Sequence, residues 1–367
     1  MDSEGCEMES KNIFLIVAGI VIIGAFVFFT IQENKKPEEK VDLYLKLKAG
    51  EHYDMRIANH QRTTQTYKDK MLQVDEKSDD VLSFDVISVE PNGTMNIAFK
   101  YKTVKMEANT PGQKITFDSA KKPVETNDII QTAINEVGAA VMAGQYSFKI
   151  SPKGRKEHIQ GFDVVRAKLA DHIKEQAEKE INDESASEKD KEAFAVLQKG
   201  FLERIVKEKI AFYNNFLNSI ADETQQKITF IFLTLPYKPV GAESKWYEKL
   251  VFHLGMNVDA NTTYIYKKKE NGNAFIDIIS DVDMGKKFKV IDISSRETVS
   301  KTITGTRWAT NVIDAQTGLL QRSEATIKYN GVQHIETDKA TLPIRPNMDI
   351  KLRIEGSTIV ELIKGNL

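Results

Sequence analysis

VLSFDVISVEPNGTMNIAFKYKTVKMEA, residues 81–108, decides the fold class. Apolar and polar residues alternate on both sides of Pro91-Asn92-Gly93, the period-two pattern of a half-buried strand. Asn-Gly supplies the left-handed backbone that a tight turn needs, so the stretch reads as a β-hairpin. Upstream, Val41, Leu43, Leu45 and Leu47 alternate with polar residues and predict a strand, broken at Ala49-Gly50-Glu51. A second strand follows, and the polar residues 61–73 extend it as a long exposed strand. ITFDS, residues 115–119, is another short strand.

Beyond the hairpin the period changes. Ile129, Ile130, Ala133, Ile134, Val137 and Val141 share one face of a helix over 127–142, with Thr126 as N-cap and Gly144 as terminator. YSFKISPKGRKEHIQ then predicts a hairpin about Pro152-Lys153-Gly154. Residues 161–226 lose strand periodicity. Val164, Val165, Leu169, Ile173, Ala177 and Ile181 form one stripe. After a break at 182–187, Phe194, Leu197, Phe201, Ile205, Ile210, Phe212 and Leu217 form another, giving a helical pair. Strands are expected to resume with KITFIFLTLPYKPV, residues 227–240, and to continue to the end, with turns at Glu270-Asn271-Gly272-Asn273 and at residues 314–318. Both β-rich stretches begin with a long strand, then a pair turned at Asn-Gly, then a pair turned at a glycine. This is a weak internal duplication of pattern.

The expected fold class is therefore α+β, with two antiparallel β-rich halves around a central helical insert. The segments are a tail at 1–12, an apolar stretch at 13–31, a charged linker at 32–40, a first half at 41–160, the insert at 161–226 and a second half at 227–367. The apolar stretch, IFLIVAGIVIIGAFVFFTI, carries no charge, and its 19 residues suffice to span ~30 Å of hydrocarbon. It predicts one transmembrane helix, a signal-anchor, with the lipid bilayer as partner. A secretory signal would be shorter and would end in small residues, whereas Phe28, Phe29, Ile31 and Gln32 stand here. Translation from Met1 and from Met8 both remain open. Lys35, Lys36, Lys40, Lys46 and Lys48 behind the stretch, against Lys11 ahead of it, place the body in the cytoplasm by the positive-inside count. That count is weak for large domains.

Composition excludes several functions. With 51 basic and 53 acidic residues interspersed, the net charge of −2 leaves no basic patch for nucleic acid. The single cysteine, Cys6, precedes the apolar stretch, so the body holds no disulfide. Asn92-Gly93-Thr94 and Asn261-Thr262-Thr263 match a glycosylation pattern but read as turn chemistry. The histidines His52, His60, His158, His172, His253 and His334 show no metal-ligand spacing. Asp171-His172 reads as a solvated helix face. Asp277, Asp281 and Asp283 read as a charged turn, since the EF-hand pattern is absent. No nucleophile elbow, phosphate loop or dinucleotide fingerprint occurs, so no catalytic residue, metal or cofactor is expected. Trp246, Phe252, Tyr264, Tyr266 and Trp308 are the candidate lining of an apolar cavity. Aromatic residues on strands are more often core.

Five segments in order carry a family resemblance: VDLYLKLKAGEHYDMRIANHQRTTQ (41–65), VISVEPNGTMNIAFKYKTVKMEA (86–108), YSFKISPKGRKEHIQGFD (146–163), LPYKPVGAESKW (235–246) and DAQTGLLQRSEAT (314–326). Together they resemble the uncharacterised DUF6263 family of bacterial envelope proteins over most of residues 41–363. Glu243-Ser244-Lys245 departs from the Gly-Asp expected before the tryptophan, and the uncleaved anchor departs from the usual leader. The resemblance implies the cell envelope, with a periplasmic body, and implies no activity. A cytoplasmic body stays open. The expectation is a single-pass, non-enzymatic membrane protein whose β-rich body binds an apolar ligand or another envelope protein. The alternative is an assembly subunit of a membrane complex, docking through the helical insert.

Overall fold

The computed structural model describes residues 40–123, 126–183, 191–254, 257–284, 288–292, 297–337 and 348–365. The apolar stretch at 13–31 lies outside them. No described helix is long and apolar enough to cross a membrane. Residues 42–367 form one compact unit.

The unit is built on a 12-stranded sheet, antiparallel at every pairing. In chain order the elements are β1 (His52–Tyr67), β2 (Lys70–Val89), β3 (Met95–Thr110), β4 (Gln113–Asp118), α1 (Ile129–Met142) and β5 (Tyr146–Ile150). Next come the helices α2 (Phe162–Asp183) and α3 (Lys191–Ile231). The second half holds β6 (Lys245–His253), β7 (Asn257–Glu270), β8 (Asn273–Asp283), β9 (Phe288–Asp292), β10 (Glu297–Asp314), β11 (Leu320–Thr337) and β12 (Met348–Gly365). The strand order is β4-β3-β2-β1-β12-β11-β10-β8-β7-β6, with β5 also on β3 and β9 also on β10. The two β-rich stretches are thus one sheet, joined where β1 pairs with β12.

The mixed α+β, mainly antiparallel character matches the expectation, and the Asn-Gly hairpins fall where the turns predict. Three details differ. Leu43, Leu45 and Leu47 are buried in alternation but make no ladder strand. Leu45 N–H instead donates to Pro152 O (2.7 Å) and Lys46 N–H to Thr317 O (2.8 Å). The exposed strand expected over 61–73 is a hairpin, turning at Lys68, which adopts φ 52°. Residues 227–231, read as strand from their β-branched and aromatic content, complete α3. There Thr224, Lys227, Ile228 and Ile231 are buried at helical spacing, so tertiary packing overrides the local preference.

Local chemistry explains α1. Its N-cap is Asp128, whose Oδ1 accepts from Ile130 N–H (2.9 Å) and Gln131 N–H (3.0 Å); Thr126 lies outside the helix. Ala133, Val137 and Val141 are buried, whereas Ile129 is exposed. In α2, Phe162, Val165, Leu169, Ile173 and Ala177 are buried and Val164 is exposed.

The core lies between one face of the sheet and the helices. In the first half, Phe99 stacks on Phe84 and Tyr146, and Tyr146 meets Phe162 of α2. The end of α3 straddles the halves. Phe232 packs edge-on against Phe84 and Phe148 of the first half, and Phe230 against Phe252 of the second. Gly154 (φ 78°) fixes the seam, since a Cβ there would stand 2.0 Å from Leu233 O.

Candidate functional site

The strand alternation places four of the five sequence-predicted aromatics on the helix-covered face. Trp246 stacks on Tyr264 (5.2 Å between centroids, 6° between planes), and its Nε1–H donates to Thr234 O (2.9 Å). Phe252, Tyr264 and Tyr266 are buried. Phe252 packs with Val258, Ala260, Val282, Ile303, Tyr329 and Ile354 in one core cluster. Trp308 lies on the opposite face, 45% exposed. Its neighbour Arg307 takes the covered position instead, 4% exposed, with its guanidinium 4.1 Å from the centre of the Phe230 ring. Sequence reasoning missed Arg307. The available signal was phase: in ITGTRWATNVI the buried residues Ile303, Ala309, Asn311 and Ile313 are odd-numbered, which puts the arginine inside and the tryptophan outside.

A second buried cation sits in the first half. Lys227 Nζ on α3 donates to Asp80 Oδ2 on β2 (2.5 Å) and lies 3.3 Å from Glu223. Beside it the Tyr101 hydroxyl is 2.5 Å from Thr224 Oγ1. Burial works against both charges and pushes Asp80 up. It also opposes the charge on Lys227, but the fields of Asp80 and Glu223 prevail and hold the ammonium well above its ordinary pKa.

The uncovered face holds a cluster with the order of a catalytic triad. His52 Nδ1 lies 2.7 Å from Asp85 Oδ1, and its Nε2 lies 3.3 Å from Ser83 Oγ. The surroundings do not suit acyl transfer. Ser83 is 3% exposed within the β1-β2-β3 ladder, where the flanking amides pair with neighbouring strands. Asp54 stands 3.2 Å from the same Nε2, so a negative charge adjoins the would-be nucleophile. Burial acts to raise the Asp54 pKa, but hydrogen bonds from Lys102 (2.8 Å) and Ser83 outweigh it and hold the carboxyl below its ordinary value. Asp277 and Asp281 accept from Thr310 and Thr306 on this face. Among the described residues no group of His, Cys, Asp and Glu could hold a metal ion.

Open space lies at α1. A cavity of about 1110 Å³ opens beside α1, β4 and the adjoining strands, with Met106, Phe117, Ala139, Met142, Ala143 and Ile359 in its lining. Gly138 permits the close approach of α1 to Phe117, since a Cβ there would stand 2.5 Å from the ring. Lys77, Lys105, Lys114, Lys121 and Lys122 also line it, together with Asp79, Glu107 and Asp118. Of these, Lys114 pairs with Glu107 (3.0 Å) and Lys121 with Asp118 (3.4 Å). A second cavity of about 760 Å³ runs between α1 and α2, and Ala139 and Ala143 line it as well.

A large antiparallel sheet with helices over one face, carrying a cavity of mixed apolar and charged lining, defines the class of protein. Residues 92–210 match the model of a family of unknown function, DUF6263. No curated protein matches the chain. Among solved structures, one titled "Lipid-protein interactions in lipovitellin" is similar at 8% identity, over 87% of this chain and 26% of that one, with a TM-score of 0.41. The chain thus spans about a quarter of that protein. The crystal structures of Pseudomonas aeruginosa OccK5 (OpdH) and OccK7 (OpdD) follow at 7% identity. Each is matched over 85% of this chain, and over 98% and 99% of theirs, with TM-scores of 0.17 and 0.18. None of these likenesses is close enough to transfer a function.

Proposed function

We propose that this chain is a non-enzymatic protein of the cell envelope, tethered through residues 13–31, that binds an elongated apolar ligand against α1. The cavity beside α1 and β4 carries the reading. Its volume of about 1110 Å³ is slightly above the range of small-molecule sites, ~300–1,000 Å³, and Met106, Phe117, Ala139, Met142, Ala143 and Ile359 supply apolar surface in its lining. The ligand lies along Ala139 and Ala143, where short side chains leave room.

The experiment is lipid extraction and mass spectrometry of the full chain purified from membranes. The expected result is a stoichiometric apolar ligand, reduced about tenfold in Ala139→Trp, which corresponds to about 1.4 kcal/mol of lost affinity. A wild-type chain without bound lipid, or a folded Ala139→Trp variant with an unchanged load, overturns the reading. A topology reporter fused at Leu367 tests the location. An extracytoplasmic signal is expected, and a cytoplasmic one contradicts it.

A further inference from the structure

We propose that Arg307 is the receiving group of a second, buried site that takes a monoanion of the carboxylate class. The site is distinct from the α1 cavity. It lies under the last turn of α3, on the covered face of β8, β10 and β11.

Three observations carry this. First, Arg307 is buried and keeps its charge: burial lowers its pKa only to about 10. Second, the charge lacks a counter-ion among the described residues. Its Nε has no hydrogen-bond partner, and its neighbours are the Phe230 ring and the neutral Tyr264 and Tyr329. The ring face attracts the cation but supplies no acceptor lone pair. The acid on the same cross-strand row is Glu248, reached through Thr262 and Ser280. It is three strands away, about 14 Å at ~4.8 Å per strand, and it takes the Tyr264 hydroxyl (3.4 Å). Third, two hydroxyl donors flank Arg307 on the neighbouring strands. Ser280 is the direct cross-strand partner of Arg307 and is fully buried. It accepts from Thr262 Oγ1 (2.9 Å), which leaves its own proton to give. Tyr329 sits diagonally on β11, and burial keeps its hydroxyl protonated.

A buried guanidinium left without a partner is strongly destabilising, whereas an anion that accepts from it removes the penalty. Guanidinium Nε–H, the Ser280 hydroxyl and the Tyr329 hydroxyl form a donor set suited to the two oxygens of a carboxylate. The anion is either a small free carboxylate or the head of an amphiphile whose tail lies beside Phe230.

The test is thermal melting of the full chain, dialysed into sodium fluoride and titrated at fixed ionic strength with acetate or with decanoate. Wild type is expected to gain roughly 5 °C at saturation. Arg307→Met is expected to melt above wild type without added anion and to show no response. Arg307→Lys keeps the charge without the planar fork and is expected to respond at least about tenfold more weakly. Saturation by decanoate at far lower concentration than acetate assigns the amphiphile, and equal curves assign a free carboxylate. The proposal is overturned if Arg307→Met or Arg307→Lys responds as wild type does. It is also overturned if wild type gives no response. Because lipid loading at α1 is read separately with Ala139→Trp, failure here and failure there are distinguishable.

Discussion

Lys227 on α3 and Arg307 on β10 are both buried near the end of α3, and their surroundings differ. Lys227 touches Asp80 and lies within 3.3 Å of Glu223, so the first half neutralises its buried cation internally. Arg307 faces Phe230, and its Nε stays unpaired among the described residues. The first arrangement locks α3 to β2 through charge. The second rests the same helix on a ring. The difference separates a cation that holds the fold from one that is available to a ligand.

The largest effect is expected at the lock. Lys227→Met leaves the Asp80 carboxylate buried and unpaired, and should cost about 3–5 kcal/mol in urea unfolding. Replacing Asp80 as well, in Asp80→Leu with Lys227→Met, should recover most of that loss, because a well-packed apolar pair substitutes for a buried ion pair. A double variant as unstable as the single one would show that packing rather than charge sets the cost.

A smaller effect is expected at the α1 cap. Asp128→Ala removes the acceptor of two amide hydrogen bonds and should cost about 1 kcal/mol, read from the urea midpoint. It should leave both buried cations as they are, which isolates α1 from the comparison. The smallest effect is a pH dependence. The Asp54 carboxyl titrates below its ordinary value in the folded chain. Its contribution is therefore complete above the unfolded carboxylate pKa of ~3.9 and is lost as pH falls through the folded value. Wild type should lose stability more steeply than Asp54→Asn on acidification below about pH 4. Parallel acid limbs would contradict the assignment.

The sequence makes the hairpins legible because the turn chemistry is local. Asn92-Gly93 and Asn271-Gly272 each set the backbone of their own turn, with φ 83° at Gly93 and 79° at Gly272. The end of α3 is not legible. Residues 227–231 carry strand-like side chains, and their helix is fixed by Asp80, 147 residues away from Lys227. The covered aromatics Trp246, Phe252, Tyr264 and Tyr266 follow from alternation. Trp308 does not, because Arg307 and Trp308 invert the usual polarity of that alternation within one strand. The cavity at α1 depends on how α1 meets β4, and no periodicity encodes that meeting.

The most direct measurement compares the melting temperatures of Lys227→Met and Arg307→Met with wild type, in buffer free of carboxylate anions. If one cation is internally paired and the other awaits an anion, the shifts have opposite signs: a fall for Lys227→Met and a rise for Arg307→Met. A fall of similar size in both would mean that Arg307 holds the fold as Lys227 does, and would contradict the account.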